Sequence, residues 1–237
     1  MHPPATVFCD FDGTVTREDS FDAVAGAVAP ELWGRLKRQL FAFELNLRET
    51  MAQLAAGLGP PDLAVMEAHM DRFSPRPGFL PFLDALDQGG IPFVLVSGGL
   101  EPLVERVLGP HRGRLHALVA AQVVAAAGGG LEFASPWSDG QELVAKARVL
   151  DRYGRGRRVV IGDSITDLGM ARVADLVFAR EPLCDWLSER GIHHHRWHDF
   201  DDVANVLRAE GLLPPAAVAA PGSPAADAAA RPAPAAG

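Results

Sequence analysis

Cys9-Asp10-Phe11-Asp12-Gly13-Thr14, entered from the apolar pair Val7-Phe8, is the stretch on which the fold turns. Two carboxylates one residue apart, delivered from a buried strand into a glycine-containing turn, can set one side chain against a phosphorus atom and the other beside its leaving oxygen. Neither position is reachable from mid-strand. Asp and Gly are also ordinary turn residues, so a polar turn after a strand is the alternative reading of the hexapeptide alone.

Two further apolar runs end in the same way. Ile91 to Val96 runs into Ser97-Gly98-Gly99, and Arg158 to Ile161 runs into Gly162-Asp163-Ser164-Ile165-Thr166-Asp167. Short, unalternating apolar runs bounded by turn residues and separated by helical patterns predict the strands of a parallel sheet covered on both faces. The expected fold is therefore α/β, with a Rossmann-like parallel sheet. Ligands of such sheets bind beyond the carboxyl ends of the strands. That rim would gather Asp10, Asp12, Ser97, Asp163 and Asp167, and clustered carboxylates repel unless a cation joins them. Oxygen donors with no Cys or His among them suit Mg²⁺.

Taken in order, Asp10 to Thr14, Ser97-Gly98, a lone Lys and Gly162 to Asp167 resemble the four motifs of the haloacid dehalogenase-like phosphatases, over residues 5 to about 210. The lone Lys is Lys146. The chain has 20 Arg but only two Lys, Lys37 and Lys146, so whatever bias replaced Lys elsewhere spared this one. A compact ammonium can sit between a nucleophile and a phosphoryl oxygen where a planar guanidinium does not fit. A solvated charge on a helix from Leu143 to Tyr153 is the plainer alternative.

The resemblance implies a mechanism and a set of roles. Asp10 would attack phosphorus and form an aspartyl phosphate, and Asp12 would protonate the leaving alkoxide and then activate water. Ser97, the amide of Gly98, Thr14 and Lys146 would hold phosphoryl oxygens. Mg²⁺ would be held by Asp10, the backbone carbonyl of Asp12 and Asp163, with Asp167 completing the metal set by positioning its water or Lys146. The partner would be a small phosphorylated metabolite.

Helical patterns without a strand fill residues 16–76: Phe21 to Val28, Pro30 to Leu45, Leu47 to Leu58 and Pro61 to Asp71, with Asn46 and Glu49 spaced as a capping box. The insertion looks like the small helical cap of the phosphoserine-phosphatase-like subclass, set between core segments 1–15 and 77–213. A cap excludes water and sets substrate choice. Its candidate selectors are Glu18, Asp19, Arg48 and Arg72, with Asp19 and Arg48 expected at the pocket; a solvated helix face is the alternative for each. Within the family, the motif forms and Phe178-Ala179-Arg180 are most similar to the phosphatases of methionine salvage, with phosphoserine phosphatases as near relatives. Some salvage-type members carry a Cys-rich stretch before the third motif, where this chain has Trp137-Ser138-Asp139-Gly140.

Leu118 to Val124 and Leu131 to Phe133, parted by Gly128-Gly129-Gly130, predict an antiparallel pair; Leu176 to Ala179 a core strand; and Phe200 to Glu210 a final helix. From Pro214 to residue 237 the composition narrows to Ala, Pro and Gly, which predicts a disordered tail. His193-His194-His195 and His198 suggest zinc, but consecutive side chains cannot share one strand face and no Cys is near in sequence, so a surface loop or edge is expected. Cys9 and Cys184 are too few for a disulfide framework, and Cys9 is expected as a small buried hydrophobe. A net charge of −8 argues against a nucleic-acid partner. Without an 18-residue apolar stretch or a signal-peptide pattern, a cytoplasmic protein with no membrane partner is expected. Two other classes share some of these features. A signalling receiver domain also phosphorylates a clustered Asp, but needs neither this length nor a cap. A catalytically silent phosphoryl-binding module would not need Asp12 beside Asp10.

Overall fold

The computed structural model describes residues 3–215. The expected tail lies outside the described residues from 216 onward. Strand β1 (Ala5–Cys9) is buried at every position. It opens through a turn into four helices, α1 (Ser20–Val28), α2 (Pro30–Phe41), α3 (Leu47–Ala56) and α4 (Pro60–His69). There follow α5 (Phe79–Gly89), β2 (Phe93–Leu100), α6 (Glu101–Leu108), β3 (Ala117–Ala125) and β4 (Leu131–Ala134). The last described elements are α7 (Lys146–Tyr153), β5 (Arg157–Gly162), α8 (Leu168–Ala171), β6 (Leu176–Ala179), α9 (Leu183–Glu189), β7 (His195–Arg196) and α10 (Phe200–Ala209).

The strands form one sheet in the order β4-β3-β2-β1-β5-β6-β7. Every pairing is parallel except β3 with β4. Cys9 pairs with both Leu95 and Ile161, so β1, β2 and β5 present their carboxyl ends at nearly one level. Strand order reverses at β1 and β5, which opens a crevice there. Alternation along β1 splits the core. Val7 and Cys9 face a cluster that includes Phe79, Phe82, Phe93 and Phe200, whereas Phe8 faces Val149, Leu150 and Leu183 on the other side. Ring centroids of Phe79 and Phe82 lie 5.1 and 5.3 Å from that of Phe200, and such pairs add about 0.5–1.5 kcal/mol beyond the burial of area.

Helices α1 to α4 bury Val24, Leu36, Met51, Leu54 and Met66 in the first of these clusters. The Asn46 box is formed in both directions, each bond 2.9 Å. Three elements depart from expectation. Helix α2 stops at Phe41, short of Leu45, because Phe43 takes a left-handed backbone at φ 59°, a state that no glycine or asparagine there advertised. Helix α7 begins at Lys146, with Leu143, Val144 and Ala145 as buried, non-helical chain before it. Strand β2 continues through Ser97-Gly98-Gly99 by a register shift between Val96 and Leu100. Among the described residues no helix is long and apolar enough to cross a membrane.

Candidate active site

The backbone of Asp10 is pinned to β5, its N–H donating to the Ile161 carbonyl at 2.9 Å. The chain then turns sharply, with Asp12 extended and Gly13 at φ 76°. Glycine is required at 13 twice over: the left-handed backbone disfavours a side chain, and a Cβ would overlap the Asp163 carboxylate. Thr14 Oγ1 donates to Asp163 Oδ1 at 2.9 Å, tying the turn after β1 to the residue that follows β5. Gly162 is needed for space, since a Cβ there would strike the Asp167 carboxylate.

Lys146 enters from the first turn of α7 and is 2% exposed. Its Nζ donates to Asp10 Oδ1 at 2.5 Å and to Asp167 Oδ1 at 2.6 Å. Burial alone would lower its pKa; the two carboxylates override burial and push it up. Burial, then the charge of Asp167, pushes Asp10 well above the usual carboxylate range against the opposing pull of Lys146. Burial and Asp167 likewise raise Asp163 to about 7. Asp12 is raised to about 6 by burial and by Asp19, opposed by hydrogen bonds to its Oδ1 from Ser20 Oγ at 2.5 Å and the Phe21 amide at 3.0 Å.

Three carboxylates and one ammonium leave an excess of buried negative charge, which a divalent cation would offset. Oxygens of Asp10, Asp163 and Asp167 lie within 4.8 Å of one another, so the donor set fits such an ion. Asp167 is the most fully engaged of the three. Its Oδ2 accepts from the amides of Asp163 and Ser164 at 3.0 and 3.1 Å, while Oδ1 is held by Lys146. Fully buried, it is best built to fix Lys146 and the turn after β5.

A pH signature follows for the metal-free protein. Native Asp163 keeps its proton to about pH 7, whereas the unfolded chain releases it near pH 4. Between those values the native state binds more protons than the unfolded state, so this residue's contribution falls as pH rises. Asp163→Asn, which can still accept from Thr14, is expected to match wild type near pH 4 and to exceed it by on the order of 2 kcal/mol at pH 8. Urea denaturation of both proteins in chelator tests this, and a variant less stable than wild type at pH 8 refutes it.

The structure gathers most, but not all, of the residues singled out from sequence. Asp10, Asp12, Lys146, Asp163, Gly98 and Asp19 line one cavity of about 610 Å³. Ser97 is buried beneath it, its Oγ accepting from the Gly99 amide at 2.9 Å and 3.5 Å from Asp12 Oδ2. Thr14, expected as a phosphate ligand, is fully buried with its hydroxyl committed to Asp163. Asp19 stands at the cavity mouth and also caps α1, accepting from the Asp22 amide at 2.8 Å. Arg48 does not reach the cavity: it is exposed near the start of α3, its backbone N–H donating to Gln141. Glu18 and Arg72 are exposed and outside the cavity as well, Arg72 lying over the Phe73 ring. His195 sits on edge strand β7, with the His193 ring 5.2 Å away. Cys9 is buried, its thiol donating to the Asp10 carbonyl.

One residue escaped the sequence reading. Arg76 is 6% exposed and gathers the carbonyls of the turn after β1. Its Nε donates to Thr14 at 3.0 Å, and its Nη2 donates to Gly13 and Thr16 at 2.7 and 3.1 Å. The guanidinium also lies over the Trp197 ring at 5.3 Å. The available signal was an arginine bracketed by Pro75 and Pro77 where the chain returns to the sheet. Arg76→Lys keeps the charge but not the fork. Leaving buried carbonyls unpaired is expected to cost about 2–4 kcal/mol, and loosening the turn to lower kcat at least about tenfold with little change in KM. Denaturation and steady-state kinetics measure both; an unchanged kcat would show that the turn holds without Arg76.

Similarities to known proteins run along the same residues. The family model for haloacid dehalogenase-like hydrolases matches residues 7–172. A 2-hydroxy-3-keto-5-methylthiopentenyl-1-phosphate phosphatase of Microcystis aeruginosa is 37% identical over 85% of this chain and 96% of its own length. One of the same name from Brevibacillus brevis is 30% identical, covering 88% and 97%. In fold, the chain is similar to a phosphoserine phosphatase solved as a phospho-aspartyl intermediate analogue, with a TM-score of 0.65, 19% identity and coverage of 85% and 98%. With its sheet, its rim of carboxylates and its full-length relatives in agreement, the chain belongs to the haloacid dehalogenase-like hydrolase family, on its phosphatase branch.

Proposed function

We propose that this chain is a Mg²⁺-dependent phosphomonoesterase acting on 2-hydroxy-3-keto-5-methylthiopentenyl-1-phosphate, through an aspartyl phosphate on Asp10. The observation that carries the reading is the composition of one cavity. Its floor holds Asp10 and Lys146, and its walls hold Phe21, Trp33, Leu40, Phe41, Met51 and Trp186. Charge at one end suits the phosphoryl group and the apolar wall suits a methylthio tail.

In this reading a carboxylate oxygen of Asp10 attacks phosphorus while Lys146, fixed by Asp167, neutralises charge on the phosphoryl oxygens and holds the nucleophile's other oxygen. Asp12, with a pKa near 6, gives a proton to the departing oxygen and takes one from the water that cleaves the acyl phosphate. The Gly98 amide adds a donor to the phosphoryl group. Asp10 and Asp163, with the backbone carbonyl of Asp12, would hold Mg²⁺, which supplies further charge neutralisation. A cytoplasmic setting belongs to the same reading, supported by two buried, unbridged cysteines.

The deciding experiment compares kcat/KM for the enol phosphate and for phosphoserine. Burying the tail offers about 1–3 kcal/mol that a zwitterion cannot use, so a preference of more than about tenfold is expected. Phosphoserine as the better substrate would overturn the assignment. Asp12→Asn should slow an alkyl ester such as n-pentyl phosphate by about 10²- to 10⁴-fold but p-nitrophenyl phosphate much less, because the nitrophenolate leaving group needs little protonation. Equal losses would remove Asp12 from the acid role.

A further inference from the structure

The scarcity of lysine points beyond Lys146. Among the described residues, the basic side chains that line the cavity are Lys37 and Lys146, the chain's only two lysines, and none of the described arginines lines it. Lys37 projects from α2, with Nζ 2.6 Å from Asp22 Oδ1. The same oxygen accepts from Trp33 Nε1 at 2.7 Å, and the Trp33 ring packs edge-on against Phe21. Burial would raise the Asp22 carboxyl, but the hydrogen bonds from Lys37 and Trp33 hold it below the usual range. Asp19, which lines the same cavity, lies in the field of both lysines.

An ion pair with both side chains more than a third exposed contributes little to stability. If holding Asp22 were the whole task, arginine would serve better, since its fork grips a carboxylate in two places. An ammonium has three donors, and Asp22 takes one. We propose that Lys37 is a specificity-determining residue whose ammonium, anchored by Asp22, hydrogen-bonds the oxygen-bearing part of the substrate beyond its phosphoryl group. This rests on the function proposed above and extends it. The 2-hydroxyl and 3-keto oxygens of the named ester lie between its phosphate and its methylthio tail. Lys37 donates to the keto oxygen, and Asp19 can accept from the hydroxyl. Phosphate at Lys146, oxygens at Lys37 and tail on the apolar wall then follow one another along a single cavity.

The test takes kcat/KM for the hydroxy-keto enol phosphate and for n-pentyl phosphate, which has a chain of the same carbon count without the two oxygens. In Lys37→Met the ratio of the two is expected to fall about 10- to 100-fold, chiefly through KM for the oxygenated ester. Lys37→Arg should recover part of the ratio, since it restores a cationic donor. A parallel loss on both esters, or an unaltered ratio in a folded Lys37→Met protein, overturns the proposal. Should wild type prefer phosphoserine, the methionine-salvage reading fails by itself. The ratio is then taken for phosphoserine against the alkyl ester, and Lys37 is judged on the same criterion.

Discussion

Asp10→Asn is expected to lower kcat by at least about 10⁴-fold while leaving the metal-free protein as stable as wild type, or more so. The two expectations come from one environment. Asp10 is 4% exposed, shares its pocket with Asp163 and Asp167, and is pushed above the usual carboxylate range by burial and by the charge of Asp167. An amide occupies the same volume, can still accept from Lys146, and brings no charge that must be desolvated or repelled. It cannot form the acyl phosphate. Steady-state turnover and thermal denaturation in chelator measure the pair of effects. A folded Asp10→Asn protein with near wild-type activity would eliminate Asp10 as nucleophile, and a marked drop in melting temperature would show that the negative charge itself holds the site together.

How far the sequence revealed this site depends on how local each signal is. The residues that end β1 and β5 were legible because a buried apolar run followed by Asp and Gly is a statement about adjacent positions, and parallel pairing then carries both runs to one rim. Lys146 was legible through its rarity. Arg76 was not, because its partners are backbone carbonyls at Gly13, Thr14 and Thr16, and no side-chain pattern records where a carbonyl will need a donor. Arg48 failed for a related reason: its sequence fixed it near the start of α3 but not the rotation of that helix, which turns Leu47 and Met51 to the cavity and leaves Arg48 in solvent. Lys37 was visible by the same count that drew notice to Lys146. Only the shared cavity gives the count its meaning.

Lys146→Met should lose stability as well as activity, the opposite of Asp10→Asn. The ammonium bridges two buried carboxylates, and removing one member of a buried ion cluster leaves the others uncompensated, at a cost of about 3–5 kcal/mol. The cost must depend on pH. Without Lys146 the opposing pull on Asp10 disappears, its pKa rises further, and the native state holds a proton that the unfolded chain has already released. The penalty is therefore small near pH 4, where both states are protonated, and grows as pH rises toward 8. Combining Lys146→Met with Asp10→Asn removes one charge of each sign and should recover much of the lost stability without any activity, a coupling that a double-mutant cycle isolates. Denaturation of the two single variants and the double variant at pH 5 and pH 8, in chelator, decides the matter. If Lys146→Met is as stable as wild type at pH 8, the lysine is not what balances these carboxylates. If it is destabilised equally at both pH values, the loss comes from packing around its hydrocarbon stem and not from charge.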